Sequence, residues 1–270
     1  MHKLMSGRHA VLFCTVAALF AMAAAAHADM ITIANTGVGS GRDANYVYTV
    51  TTDPTISPGV LAAPNDTNGV FAAYILDTSA WPIGQGGPYN KSTGSGKWIG
   101  PQPQYYGGHL TSPTSEYFVY QTSFTIASNI DLSTVLITGD LSSDNCTTSL
   151  AINGVGLGGT LMPSPGCSTD GDSMKNAHVF EIGGSNANFG STTGIYFAYA
   201  AFHTGINTIQ FKVYNDNGAQ PNPTGLVVWA MQAQGSETPE PSTAGLVIAG
   251  IAGVAWLRRK ATKCASSRMR

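Results

Sequence analysis

Thr208-Ile209-Gln210-Phe211-Lys212-Val213-Tyr214 alternates between apolar side chains and polar ones. Successive side chains of an extended strand point to opposite faces, so Ile209, Phe211 and Val213 share one face while Gln210 and Lys212 take the other. A period of two predicts a half-buried β-strand. The same reading finds strands at 30–34, 46–50, 70–76, 116–126, 135–141, 149–152, 178–182, 195–201 and 226–234. Turn clusters separate them: Asn153-Gly154, Gly158-Gly159, Gly183-Gly184 and Asn217-Gly218. Asn-Gly supplies the positive φ angles that a tight hairpin requires. No helical period of useful length interrupts the region from 29 to 238. Strands at this spacing predict an all-β fold, a jelly roll or β-sandwich.

Composition agrees. Charged residues are 10% of the 270, hydrophobic residues 43%, and Gly numbers 32. That suits short strands with many turns, and it is too apolar for a disordered chain. Charge is segregated along the chain. All 15 Asp and Glu lie between Asp29 and Glu240, where the basic residues are Arg42, Lys91, Lys97, Lys175 and Lys212, a net −10 for that span. Nucleic acid needs clustered Lys and Arg, so it is excluded as a partner.

The ends read differently from the middle. Lys3 and Arg8 precede the apolar run VLFCTVAALFAMAAAA at 11–26. Ala26-His27-Ala28 then sets small residues before a cut at Asp29, the layout of a secretory signal peptide over 1–28. At the other end, Pro239-Glu240-Pro241 precedes an apolar segment at 243–257, predicted to be a single transmembrane helix, and then Arg258-Arg259-Lys260. An apolar helix of about 15 residues covers about 22 Å, short of the roughly 30 Å hydrocarbon core. Trp256 and the snorkelling basic side chains make up part of the difference. The basic residues predict a cytoplasmic tail at 261–270. The domain between, 29–235, faces outward.

Pro239-Glu240-Pro241, the short apolar segment and Arg258-Arg259-Lys260, in that order, resemble the PEP-CTERM sorting signal of Gram-negative bacteria that make extracellular polysaccharide. The resemblance covers 239–260 within the sorting region 236–260. It implies that an exosortase-type membrane protease cuts near Pro239-Glu240-Pro241 and passes the protein from the inner membrane to the envelope, outer surface or extracellular matrix. The tail at 261–270, with Cys264, runs longer than is usual for that family.

Three groups of segments carry a second resemblance. The first is Asn35-Thr36-Gly37-Val38 with Trp98-Ile99-Gly100-Pro101. The second is Phe124-Thr125-Ile126, Asp131-Leu132, Ile137-Thr138-Gly139, Asp144-Asn145 and Ile152-Asn153-Gly154. The third is Gly205-Ile206-Asn207-Thr208-Ile209 with Asn222-Pro223-Thr224-Gly225-Leu226. Together they resemble the galactose-binding-like jelly-roll domains of secreted PEP-CTERM proteins. The resemblance implies a sandwich whose loops at one end bind carbohydrate. Related domains often hold a structural calcium. Asp140, Asp144, Asn145, Asp170 and Asp172 offer oxygens for one, although no calcium-loop motif gathers them and turn and capping roles account for them better.

Trp81, Trp98, Tyr105 and Tyr106 lie in a Gly/Pro/Gln-rich stretch and are the candidate sugar-stacking residues, with core packing as the alternative for both tryptophans. Cys146 and Cys167 are the two cysteines of the exported part and read as a disulfide pair. A loop of about 20 residues so closed contributes roughly 3 kcal/mol in the chain-entropy account. His109, His178 and His203 are isolated, and no nucleophile elbow, zinc helix or phosphate loop occurs. Glu116 and Glu181 are the carboxylates on which a glycan hydrolase would have to draw. The expectation is therefore a non-catalytic polysaccharide-binding module needing no cofactor. A purely structural matrix protein is the first alternative and a hydrolase the second.

Overall fold

The computed structural model describes residues 28–53, 59–65, 67–76, 96–101, 116–157, 178–185, 187, 195–197, 201–215, 224–238 and 250–256. Twelve strands form among them. These are β1 (Ala28–Ile31), β2 (Arg42–Thr51), β3 (Phe71–Ile75), β4 (Ile99–Gly100), β5 (Glu116–Ile126) and β6 (Leu136–Asp144). Then come β7 (Cys146–Ile152), β8 (Val155–Gly156), β9 (His178–Gly183), β10 (Ile195–Phe197), β11 (Gly205–Asn215) and β12 (Gly225–Ser236). Each of the ten expected strands appears, with ends shifted by a few residues. β4 and β8, two residues each, carry too short a pattern to be read from sequence.

The strands join one sheet in the order β10-β9-β6-β12-β4-β3-β2-β5-β11-β7-β8, with β1 added beside β12. All these pairs whose direction is defined are antiparallel except β10 with β9. The sheet curls on itself, so the inner faces of its two halves meet. Phe180 of β9 packs edge-on against Phe211 of β11, ring centroids 5.8 Å apart at 74°. Phe118, Tyr120, Ile137 and Leu141 fill the same core. Asp29–Ser236 forms one compact unit. Residues 250–256 of the expected membrane segment are helical, and its other residues lie outside the described ones. Among the described residues no helix is long and apolar enough to cross a membrane.

One expectation for β11 is corrected. Ile209, Phe211 and Val213 face the core as predicted, but Gln210 and Lys212 are buried too, at 2% and 6% exposure. The strand sits between β5 and β7, and the chain around Asp53 and Gly59–Leu61 lies over its outer face. Gln121 of β5 accepts from the Leu61 amide at 2.8 Å and donates to the Leu61 carbonyl at 3.0 Å. Gln210 donates to Gln121 at 3.0 Å and to the Gly59 carbonyl. Lys212 donates to the Asp53 carbonyl at 3.1 Å and rests over the Tyr117 ring. Burial lowers the Lys212 pKa, and the Asp53 charge opposes that shift. Alternation reports two faces; it does not report whether a loop covers the second.

The turn motifs lock to one another. Asn153 and Gly154, at φ 53° and 75°, make the two-residue turn from β7 to β8. Asn153 donates to Asn207 at 2.9 Å and accepts from the Thr208 amide at 2.8 Å. Asn207, fully buried, also donates to the His203 and Gly205 carbonyls and accepts from the His203 amide. Cutting Asn207 back to alanine removes four hydrogen bonds at once, to Asn153, His203 and Gly205 at the part-buried start of β11. Asn207→Ala is expected to lower unfolding free energy by about 2–3 kcal/mol, read as a drop in the urea midpoint.

Two buried tyrosines set the alkaline limit. Burial, and then the Asp43 charge, holds the Tyr46 hydroxyl well above its ordinary 10.0. Burial, then Tyr48 and Asp144, does the same for Tyr120. The unfolded chain releases these protons near pH 10 and the folded chain does not. Stability is therefore fully present below pH 10 and falls above it, by about 1.4 kcal/mol per pH unit for each group. Among the described residues the Tyr120 hydroxyl has no hydrogen-bond partner. Tyr120→Phe should thus leave neutral-pH stability intact and roughly halve the alkaline slope in denaturation monitored between pH 10 and 12.

Candidate functional site

β12 changes phase in its middle. Leu226 and Val228 face the core, and then Met231 and Ala233 do. Its register with β6 shifts between Trp229 and Gln232, and Ala230 takes φ 49°. An inserted residue of this kind bends a strand and re-aims its side chains. Trp229, two residues after Val227 and just before the bulge, shares Val227's outer face and is half-buried. It packs with Trp98, Val227 and Leu76 in an apolar cluster separate from the main core.

The bulge frees main-chain groups that need partners. The segment before β2 supplies them. Asn35 accepts from the Met231 amide at 2.9 Å. The Thr36 hydroxyl accepts from the Val228 amide at 3.0 Å and donates to the Lys97 carbonyl at 2.7 Å, while the Thr36 amide donates to the Val228 carbonyl at 3.1 Å. Gly37, at φ 82°, lies so close to Lys97 that a Cβ would collide with it. The Gly37 amide donates to the buried Asp43 carboxylate at 2.5 Å, which also accepts from the Asn45 and Tyr46 amides. The pairing of Asn35-Thr36-Gly37 with the Trp98 segment thus has a structural cause: both clamp the β12 bulge.

Tyr74 of β3 lies two residues before Leu76 and opposite Gly100 of β4. The exposed Arg42 guanidinium lies 4.7 Å over the Tyr74 ring and donates to its hydroxyl at 2.7 Å. Arg42 is the only arginine between Asp29 and Glu240. The outer side of β12, β4 and β3 thus carries the half-buried Trp229 and Leu76 of the apolar cluster, with the Tyr74–Arg42 pair further along β3 and β2. Such a face stacks on the C–H side of a planar or ring ligand and offers guanidinium donors at its margin.

The sequence-predicted residues fall out as follows. Trp98 is buried, at 3% exposure, and forms the floor of the face. Trp81, Tyr105 and Tyr106 lie outside the described residues. The segment holding Trp81 leaves at Leu76 and returns at Gly96, where a Cβ would come within 2.8 Å of Trp229 Cβ. The segment holding Tyr105 and Tyr106 runs from Pro101 to Glu116. Cys146 is buried at the start of β7, and Cys167 lies outside the described residues. Ala26, Pro239, Glu240, Pro241, Arg258, Arg259 and Lys260 lie outside them as well. Ala28 and Asp29 open β1.

Asp140, Asp144 and Asn145 follow one another along the end of β6, and Asp170 and Asp172 lie outside the described residues. Among the described residues no three His, Cys, Asp or Glu side chains gather as a metal site. Burial raises the Asp140 pKa. Glu116 and Glu181 stand on β5 and β9, which are not neighbours in the sheet, and Glu181 is buried. The exposed His203 contacts the Thr204 carbonyl through Nδ1. Sequence reasoning missed Trp229, Tyr74 and Arg42. The one signal was the spacing of inward residues in β12, two apart and then three.

No protein-family model matches the chain, and no characterised protein matches it significantly in sequence.

Asn35→Ala should leave the Met231 amide unpartnered. The expected outcome is a loss of about 1–2 kcal/mol in stability, with faster hydrogen exchange at Met231 than at Ala233.

Proposed function

We propose that this chain is an exported, non-catalytic binding protein that holds extracellular polysaccharide through the outer face of β3, β4 and β12. In this reading 29–235 is a jelly-roll domain of the galactose-binding-like kind. The observation that carries it is the half-buried Trp229, packed with Trp98, Val227 and Leu76 just before the bulge in β12, with the Tyr74–Arg42 pair on β3 and β2 of the same sheet. Natural sheets keep such bulges where a side chain has to be aimed. A neutral or weakly charged glycan suits the site, because a span of net charge −10 repels dense polyanions.

Export and sorting belong to the same proposal. Signal peptidase cuts between Ala28 and Asp29. An exosortase-type protease acts at Pro239-Glu240-Pro241 while the apolar segment and Arg258-Arg259-Lys260 hold the chain in the inner membrane. Cys146 and Cys167 pair outside the cytoplasm.

Affinity electrophoresis in gels containing the producing organism's own exopolysaccharide tests the binding. The wild-type protein should be retarded, and Trp229→Ala should weaken binding at least about tenfold, equivalent to roughly 1.4 kcal/mol. Wild-type mobility unchanged by every glycan tried would sink the proposal. Mass spectrometry of the secreted protein should find an N-terminus at Asp29, a C-terminus near Pro239–Pro241, and a peptide joining Cys146 to Cys167. An intact Met1 and Arg270, or free thiols at both cysteines, would contradict it.

A further inference from the structure

β5 is paired along one edge only in part. On one side it matches β11 over its whole length, Glu116–Ile126. On the other it meets β2 only from Tyr117 to Gln121, because β2 veers away towards β3. The direction of each main-chain group follows from the register. The Thr208 carbonyl accepts from Asn153, and the Tyr214 carbonyl accepts from Asn145, so even-numbered residues of β11 bond towards β7. Odd-numbered residues of β11 therefore bond towards β5, where Ile209 faces Thr122, Asn207 faces Phe124 and Gly205 faces Ile126. That leaves Ser123 and Thr125 with N–H and C=O aimed at the side β2 has left.

A groove of about 440 Å³ opens there, between β5 and β1. Its floor reaches Ile31, Phe124 and Ile130 of the core, and Ser123, Thr125 and Asp29 stand along it. Two large apolar side chains flank it in solvent, Met30 and Ile206, each 69% exposed, the second opposite Thr125 in register. A strand edge with free donors and acceptors over an apolar floor is the setting for strand addition.

We infer that this groove receives an extended peptide from a basic partner protein as an added strand beside β5. Main-chain bonds to Ser123 and Thr125 set its register, and alternate apolar side chains enter over Ile31, Phe124 and Ile130. Charge decides the kind of partner. Among the described residues the groove lining carries no basic side chain. The side chains from Asp29 to Glu240 sum to −10, a balance that the new α-ammonium at Asp29 and the new C-terminal carboxylate of the processed chain leave unchanged. A second copy of the chain would bring a further −10 to the same face, whereas a strand bearing Lys or Arg meets an attractive field.

Hydrogen exchange and amide shifts of the full-length protein test this directly. The probe is an acetylated, amidated pentapeptide, lysine-valine-threonine-valine-lysine. A second peptide carries glutamate for both lysines, and a third is N-methylated along one edge. In the free protein the Ser123 and Thr125 amides should exchange at least a hundredfold faster than those of Thr122 and Phe124. The lysine peptide should slow both at least tenfold at saturation and bind at least fivefold more tightly than the glutamate peptide. The N-methylated form should not bind. Ser123→Pro removes one groove-facing donor outside the β11 ladder and should weaken the lysine peptide; if that variant does not fold, the exchange rates of the unaltered protein decide. Ser123 and Thr125 already as protected as Phe124, no response to any peptide at millimolar concentration, or equal binding of the glutamate peptide would each overturn the inference. Polysaccharide retardation reads the opposite half of the proposal and is independent of these outcomes.

Discussion

A strand buried on both faces must find partners for most of the polar atoms it carries. β11 finds them for the Gln210 amide nitrogen and the Lys212 ammonium, while Thr208 Oγ1, Gln210 Oε1 and Asn215 Oδ1 are buried without one among the described residues. Its inner face is hydrocarbon, and its outer face is not. Gln210 and Lys212 are held under the chain near Asp53 and Gly59–Leu61, and Gln121 of β5 completes the arrangement. A single unmade bond to a buried polar group costs about 1–3 kcal/mol, comparable to a sizeable part of a domain's net stability. The loop is consequently as much part of the sheet's integrity as the strands beneath it. The same demand explains Asn207 and Asn153. Two amide side chains serve the orphaned main-chain groups where β11 begins and β7 turns, and each fixes the other.

The demand also connects the fold to the candidate site. A bulge in β12 interrupts its ladder with β6 and leaves amides to be satisfied from elsewhere. Asn35 and Thr36 satisfy them. Asp43 in turn fixes the tight path of 36–46 by accepting three amides. Trp229 is therefore aimed outward by a rigid assembly that spans the start and the end of the domain. A side chain so fixed loses little further freedom when a ligand stacks on it, and that reduction in ordering cost favours binding.

Much of this was legible in the sequence, and the residues show why. Alternation at 208–214 gave the inner face of β11, because a period of two is a property of one strand alone. Asn153-Gly154 gave its hairpin, because only such residues take positive φ cheaply. What failed to show was anything decided by a second segment. Gln210 and Lys212 read as solvent-facing because the covering chain is some 150 residues away. Trp98 reads from sequence as a ligand candidate or a core residue, with nothing local to choose between them. Its burial depends on Leu76 and Val227. Tyr74 and Arg42 are neighbours only through the β2–β3 register, and no spacing within either segment announces it.

Charge restricts what any ligand of the outer face can look like. Fifteen acidic and five basic residues between Asp29 and Glu240 set a repulsive field for polyanions, and one arginine on the face does not reverse it. Arg42 is also committed in part, since one of its amino groups already bonds the Tyr74 hydroxyl. Its remaining donors are oriented by the ring beneath it, which suits hydrogen bonds to hydroxyls or a single acidic group more than a row of charges. Binding there must then draw on stacking and short-range hydrogen bonds. Those terms fall off within a few ångströms and are barely screened by salt, unlike the long-range attraction that a basic protein would use. For the proposed ligand, an acidic surface and an aromatic face are compatible: the first supplies no long-range attraction, and stacking on the second operates only at contact.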